Sequence, residues 1–139
     1  MNLSFSQCFV LAHEPEAAVA FYRDTLGLPM TEFRHQPERR QEIAIFRTGE
    51  VDLEVIHPFD DQSAAGRYLA KSGPGLYHLG METDNVDAEL DRLGAAEIRL
   101  IDTTPRPGTH ARFGFVHPKS TKGVLIELST PYPGGAPSP

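Results

Sequence analysis

Cysteine occurs once in these 139 residues, as Cys8, and tryptophan not at all. A lone thiol closes no internal disulfide and cannot supply a multi-thiolate zinc site, so neither an oxidised secretory scaffold nor a CxxC-type metal knot is open to this chain. No run of eighteen or more apolar residues occurs, the length a helix needs to cross a bilayer. The opening stretch MNLSFSQCFVLAHEPEAAV lacks a basic n-region and a small-residue cleavage site before acidic residues interrupt it, which points to an unexported, cytoplasmic protein. Positive charge is scarce as well: 13 Lys and Arg against 19 Asp and Glu leave a formal net charge of −6. The basic residues are scattered, so nucleic acid is not an expected partner, although a local cationic rim could still receive a small anion. What remains, 40% hydrophobic and 23% charged residues, is the balance of one soluble globular domain.

Two stretches follow the same order of strand, helix, strands and a final strand bearing a glutamate. The first module spans about 6–59. It opens with the β-compatible run Gln7 to Ala12, passes an acidic turn with Pro15 in a helix's first turn, and continues into a helix stopped at Gly27. That helix should bury Ala17, Ala18, Phe21, Tyr22 and Leu26. Extended segments are expected at Met30–Phe33, Glu42–Phe46 and Val51–Ile56. A linking helix at about 62–72 leads to the second module, about 76–130. There a strand from Leu76 to Glu82 precedes an Asx-capped helix carrying Val86, Leu90 and Leu93 and closed by Gly94. Strands should follow at Glu97–Ile101, Arg112–Val116 and Val124–Leu128. The single domain would thus end near residue 130, with 131–139 a Pro- and Gly-rich loose tail. The fold class is α+β: two βαβββ modules whose curved mixed sheets surround a cavity.

The repeat also aligns chemistry. Gln7 and His78 occupy corresponding places in the opening strands, and Glu54 and Glu127 in the closing ones; 47 positions separate Gln7 from Glu54 and 49 separate His78 from Glu127. Each glutamate sits inside an otherwise apolar strand, where a carboxylate is costly unless it is paired, protonated or bound to a metal. One nitrogen and three oxygen donors suit a hard or borderline divalent ion with positions left open for substrate.

Phe21-Tyr22-Arg23-Asp24-Thr25-Leu26-Gly27-Leu28, Leu53-Glu54-Val55-Ile56-His57-Pro58, Gly73-Pro74-Gly75-Leu76-Tyr77-His78 and the stretch from Phe115 to Leu128 resemble the vicinal oxygen chelate (glyoxalase/bleomycin resistance/dioxygenase) superfamily. Within it the similarity is to the methylmalonyl-CoA epimerases, carried most specifically by His117-Pro118-Lys119-Ser120 and Gly123-Val124-Leu125-Ile126-Glu127. The resemblance implies a homodimer and one divalent ion, Co2+, Zn2+, Ni2+ or Mn2+, on Gln7, Glu54, His78 and Glu127. Gln7 stands where the epimerases have histidine, a replacement that the zinc-type lactoylglutathione lyases share. The implied reaction is epimerisation at the α-carbon of a methylmalonyl-CoA-like thioester through a metal-stabilised enolate, with Glu127 as one base and Glu42, one residue from the aligned Ile43, as the other. Lys119, Lys122, Arg106 and Arg112 are the candidates for the phosphate-bearing tail of such a CoA thioester. His57 and His117 read as strand-end residues and Tyr77 as a pocket filler. Other readings are a glyoxalase-type lyase or isomerase on another small chelating substrate, favoured by Gln7, and a binding protein of the same fold without turnover.

Overall fold

The computed structural model describes residues 2–135. They form two compact units, one of Gln7–Tyr77 and the other of the remaining described residues. Eight strands and three helices run in the order β1 (Ser4–Leu11), α1 (Pro15–Ala20), β2 (Met30–Gln36), β3 (Gln41–Thr48), β4 (Val51–Pro58), α2 (Ala64–Ser72), β5 (Gly75–Glu82), α3 (Val86–Ala95), β6 (Arg106–Pro107), β7 (Ala111–Val116) and β8 (Ile126–Pro131). The first module has the strand order β2-β3-β4-β1, and the second repeats it as β6-β7-β8-β5. In each the opening strand lies parallel to the closing one, β1 on β4 and β5 on β8, while the remaining pairs are antiparallel. The duplicated, mixed-sheet architecture expected from the sequence is the one observed. No helix among the described residues is long and apolar enough to cross a membrane.

Strand alternation divides each module's sheet into two faces. In module one Ala44, Phe46 and Val55 lie on one face with Ala12, packed against Ala18, Val19 and Tyr22 of the first helical segment. The other face carries Phe9, Leu11, Ile43, Ile45 and Ile56, against which α2 lays Ala65 and Leu69. In module two α3 buries Val86 and Leu90 against Val116 and Leu128. Its N-cap is as expected: the Asn85 side chain accepts from the Ala88 amide at 3.1 Å.

Four local expectations are corrected. The first helix passes at Phe21–Thr25 into a π turn, where the Leu26 amide donates to the Phe21 carbonyl five residues back. The wider turn rotates the apolar stripe, so Tyr22 packs inward while Phe21 and Leu26 are exposed; Ala17, in the regular turn before it, is exposed too. Gly27 still closes the segment, at φ 73°. Gly94, by contrast, lies inside α3, and Glu97 takes the left-handed conformation beyond it. The strand expected at Glu97–Ile101 is reduced to a single bridge, Leu100 to Val116. Its ladder stops because the Asp102 carboxylate, rather than a backbone carbonyl, takes the Phe115 amide at 2.9 Å. The edge strand is instead the two-residue β6, ahead of which Pro105 can donate no ladder bond. Last, the tail begins later than expected: Pro131 ends β8, and the Tyr132 amide donates to the His110 carbonyl at 2.9 Å. Residues 136–139 lie outside the described residues.

Candidate functional site

The ladder registers of module one put Gln7 and Phe9 of β1, Asp52 and Glu54 of β4, Ile43 and Ile45 of β3, and Glu32 and Arg34 of β2 on one face. Phe9 is the direct neighbour of Glu54, and Gln7 lies two residues before Phe9. Glu54 is 5% exposed. Burial pushes its carboxyl up to about 7; the Arg34 charge and a hydrogen bond from the Gln7 amide pull the other way, and Asp52 and Glu32 add to the rise.

Module two reproduces this arrangement. Gly80 is the direct neighbour of Glu127, and His78 lies two residues before Gly80. The ligand-type residues of the two modules therefore hold the same ladder positions, closer than the 47- and 49-residue spacings alone required. His78 is buried and Glu127 half-buried. Burial holds the His78 imidazole down to about 3, against a smaller opposing effect of a backbone hydrogen bond at Leu79. It is therefore neutral near pH 7, the form that binds metal. Phe115 lies directly across from Glu127 and meets the His78 ring edge-on, with centroids 5.0 Å apart and planes at 86°. Nothing in the sequence pattern singled Phe115 out.

These two shifts act on stability in opposite senses. The folded Glu54 carboxyl lies near 7 against an ordinary 4.5, so its contribution is present below 4.5 and is lost as pH rises toward 7. The folded His78 lies near 3 against 6.5, so its contribution is present above 6.5 and is lost as pH falls toward 3. Between 4.5 and 6.5 the folded chain holds its proton on Glu54 and the unfolded chain on His78, and the two slopes cancel. In metal-free protein Glu54→Gln should unmask the histidine limb. Its unfolding free energy should then climb by on the order of 1.4 kcal/mol per pH unit across that window. Urea midpoints at several pH values measure this, and a profile as flat as the wild type's would contradict the assignment.

The remaining expected residues are distributed unevenly. Glu42 faces His57 across β3 and β4, on the side of Ala44 and Phe46 and opposite to Glu54; its carboxylate pairs with His35 Nδ1 at 3.1 Å. Alternation puts Ile43 and Ile45 on the Glu54 face instead. Arg112 grips Asp87 at 2.6 and 2.9 Å, and Arg106 pairs with Asp102 at 3.0 Å. Lys119 and Lys122 are exposed around the turn after β7, where burial first, then Arg99 and Lys119, lower the His117 imidazole from its ordinary range. Arg99 thus joins the cationic rim, a residue the motif reading passed over. His57 Nδ1 stands 3.1 Å from the Ala12 carbonyl, a structural contact, and Tyr77 packs against the module-one core and Tyr68.

Among the described residues no three His, Cys, Asp or Glu side chains form a ready metal cluster. Taken module by module, the residue types are ones a divalent ion accepts: a buried carboxyl with an amide beside it in module one, and a neutral buried imidazole with a carboxyl in module two.

Residues 6–115 match the family model of the Glyoxalase/Bleomycin resistance protein/Dioxygenase superfamily, and the chain belongs to that superfamily. It is 34% identical over 115 residues to the uncharacterized protein YqjC of Bacillus subtilis, covering 82% of each chain. It is 31% identical to the mitochondrial methylmalonyl-CoA epimerase of Dictyostelium discoideum, covering 81% of this chain and 69% of that one. Among solved structures, a Streptomyces coelicolor methylmalonyl-CoA epimerase variant in complex with 2-nitronate-propionyl-CoA superposes with a TM-score of 0.85 at 31% identity, covering 98% of both chains. The fold is thus the vicinal oxygen chelate fold that the sequence motifs resembled.

Proposed function

We propose that this protein is an isomerase that removes and returns the α-proton of a methylmalonyl-CoA-like thioester. The observation that carries the reading is the repeated ladder geometry, Gln7 with Glu54 and His78 with Glu127, in a chain related over most of its length to methylmalonyl-CoA epimerases. The ligand in the Streptomyces complex supports it, because a nitronate is a planar anion that resembles a substrate carbanion.

In this reading Glu127 takes the α-proton. Half-buried, it is reachable by substrate, with Phe115 directly across the ladder from it. A carboxylate of ordinary pKa ~4.3 is far too weak for this unless the enolate is stabilised as it forms. A divalent ion held by Gln7, Glu54, His78 and Glu127 would supply that stabilisation as a Lewis acid. Lys119, Lys122 and Arg99 offer charge to the CoA phosphates, whereas Arg106 and Arg112 already hold carboxylates. The superfamily resemblance carries with it a homodimer, which light scattering checks; the single cysteine suits a reducing cytoplasm, which cell fractionation checks.

The test is incubation in deuterium oxide with methylmalonyl-CoA and each of Co2+, Zn2+, Ni2+ and Mn2+ added back. Mass spectrometry should detect one deuterium at the α-carbon, and no exchange above the protein-free rate with any ion would overturn the proposal. A second reading, a glyoxalase-type isomerase or lyase on another small chelating substrate, is favoured by Gln7 and by Glu42 lying on the face opposite Glu54. Exchange absent from malonyl thioesters but present in a 2-hydroxyacyl thioester would select it.

A further inference from the structure

The duplication carries one more pair of residues. On the Glu54 face Glu54 lies across from Ile45, and Ile43, two residues earlier, lies across from Arg34 on the edge strand β2. In module two Glu127 lies across from Phe115, and Phe113, two residues earlier, lies across from Arg106 on the edge strand β6. Arg34 and Arg106 are therefore repeat counterparts. Each holds a carboxylate a few residues earlier: Arg34 Nε and Nη2 donate to Glu32 at 2.6 and 2.9 Å, and Arg106 Nε and Nη2 contact Asp102 at 3.0 and 3.1 Å.

Their surroundings have diverged. Arg106 is 51% exposed and lies over two aromatic rings, 5.0 Å from the centroid of Phe113 and 5.6 Å from that of Phe115. Asp102, which holds it, also takes the Phe115 amide, so this guanidinium is fastened to the strand that carries Phe115. Arg34 has aliphatic Ile43 and Ile45 on the neighbouring strand in place of those rings, and its side chain is only 23% exposed. Its Nη1 makes no hydrogen bond among the described residues, and its charge reaches the buried Glu54. A guanidinium with one edge held and another open, on the face of a buried glutamate, is suited to a second carboxylate.

We infer that Arg34 is a specificity-determining residue that binds the free carboxylate of the acyl group, selecting malonyl-type thioesters over simple acyl thioesters; this rests on the thioester reading above. The same guanidinium could meet a CoA phosphate, and the ligands of the test separate the two. Dissociation constants for malonyl-CoA and for propionyl-CoA, which lacks the carboxylate but keeps every phosphate, are measured by calorimetry on the full-length protein with its divalent ion. Wild type should favour malonyl-CoA. Arg34→Met should shrink that preference by about 10- to 100-fold, the range for a hydrogen bond to a charged group, with propionyl-CoA binding unchanged. Arg34→Lys should keep part of the preference, and Arg106→Met should keep all of it. Arg34→Gln gives the same reading should the Met variant not fold. A preference unmoved in Arg34→Met, or an equal loss for both ligands as a phosphate anchor would give, overturns the inference. If wild type exchanges α-protons and the preference is still unmoved, this inference alone falls; if wild type binds neither thioester, the thioester reading falls with it.

Discussion

Glu127→Gln is expected to lower α-proton exchange into methylmalonyl-CoA by on the order of 10²–10⁴, the range a positioned general base supplies, while much of the metal is retained. Glutamine keeps the size of the side chain and one coordinating oxygen but cannot accept a proton. Its ladder neighbours are untouched by the change: Phe115 lies across from it and Gly80 beside it. The measurement pairs exchange rates with metal content determined on the same preparation. Exchange at the wild-type rate would overturn the role given to Glu127 even with the fold and the ligand set intact. Glu54→Gln is the informative companion, because it alters the repeat-related carboxyl in the module where no proton transfer is assigned.

The largest effect on stability should come from Phe46→Ala. Phe46 is fully buried, at 0% exposure, between Val55, Ala44 and the Tyr22 ring, whose centroid is 5.7 Å away. Removing it costs the transfer energy of the ring and leaves a cavity between the first helical segment and the sheet, about 3–5 kcal/mol together. Thermal unfolding should then begin roughly 10 °C or more below wild type. Phe33→Ala is the control: Phe33 is 50% exposed on β2, and its loss should shift stability by only about 0.5 kcal/mol. Equal shifts in the two variants would mean that the packing around Phe46 is misassigned.

Which parts of this molecule could be read before its structure follows from how each feature is encoded. The duplication, the opening and closing strands and the Asn85 cap are local, periodic signals, so the matching ladder positions of Gln7 with Glu54 and of His78 with Glu127 follow from strand spacing. The faces were harder. A slip of one residue turns every side chain of a strand to the other side, which is why Glu42, one residue from Ile43, could be named as a base and yet stand opposite Glu54. The π turn at Phe21–Thr25 is invisible to a 3.6-residue period and misassigned Phe21 and Leu26 for the same reason. The short edge strand at Arg106–Pro107 has no periodic signature at all, because two residues are too few to show an alternation. Arg34 has no signature in the sequence because an arginine beside Glu32 and His35 reads as solvated until the ladder shows that it shares the Glu54 face.

The parallel pairing of first strand with last in each module sets the terms on which the chain folds. Phe9 must find Glu54, and Gly80 must find Glu127, each across more than forty residues, so the closure entropies are nearly the same and neither module starts with an advantage on that account. The hairpins differ. β3 and β4 are joined by Gly49 and Glu50 alone, with Gly49 at φ 70° and Thr48 paired to Val51, whereas β7 and β8 are separated by nine residues, 117–125. A two-residue turn lets β3 and β4 zip within microseconds, before either long closure is attempted. Nucleation should accordingly begin in the half that contributes Glu54, with the strand bearing Glu127 docking later.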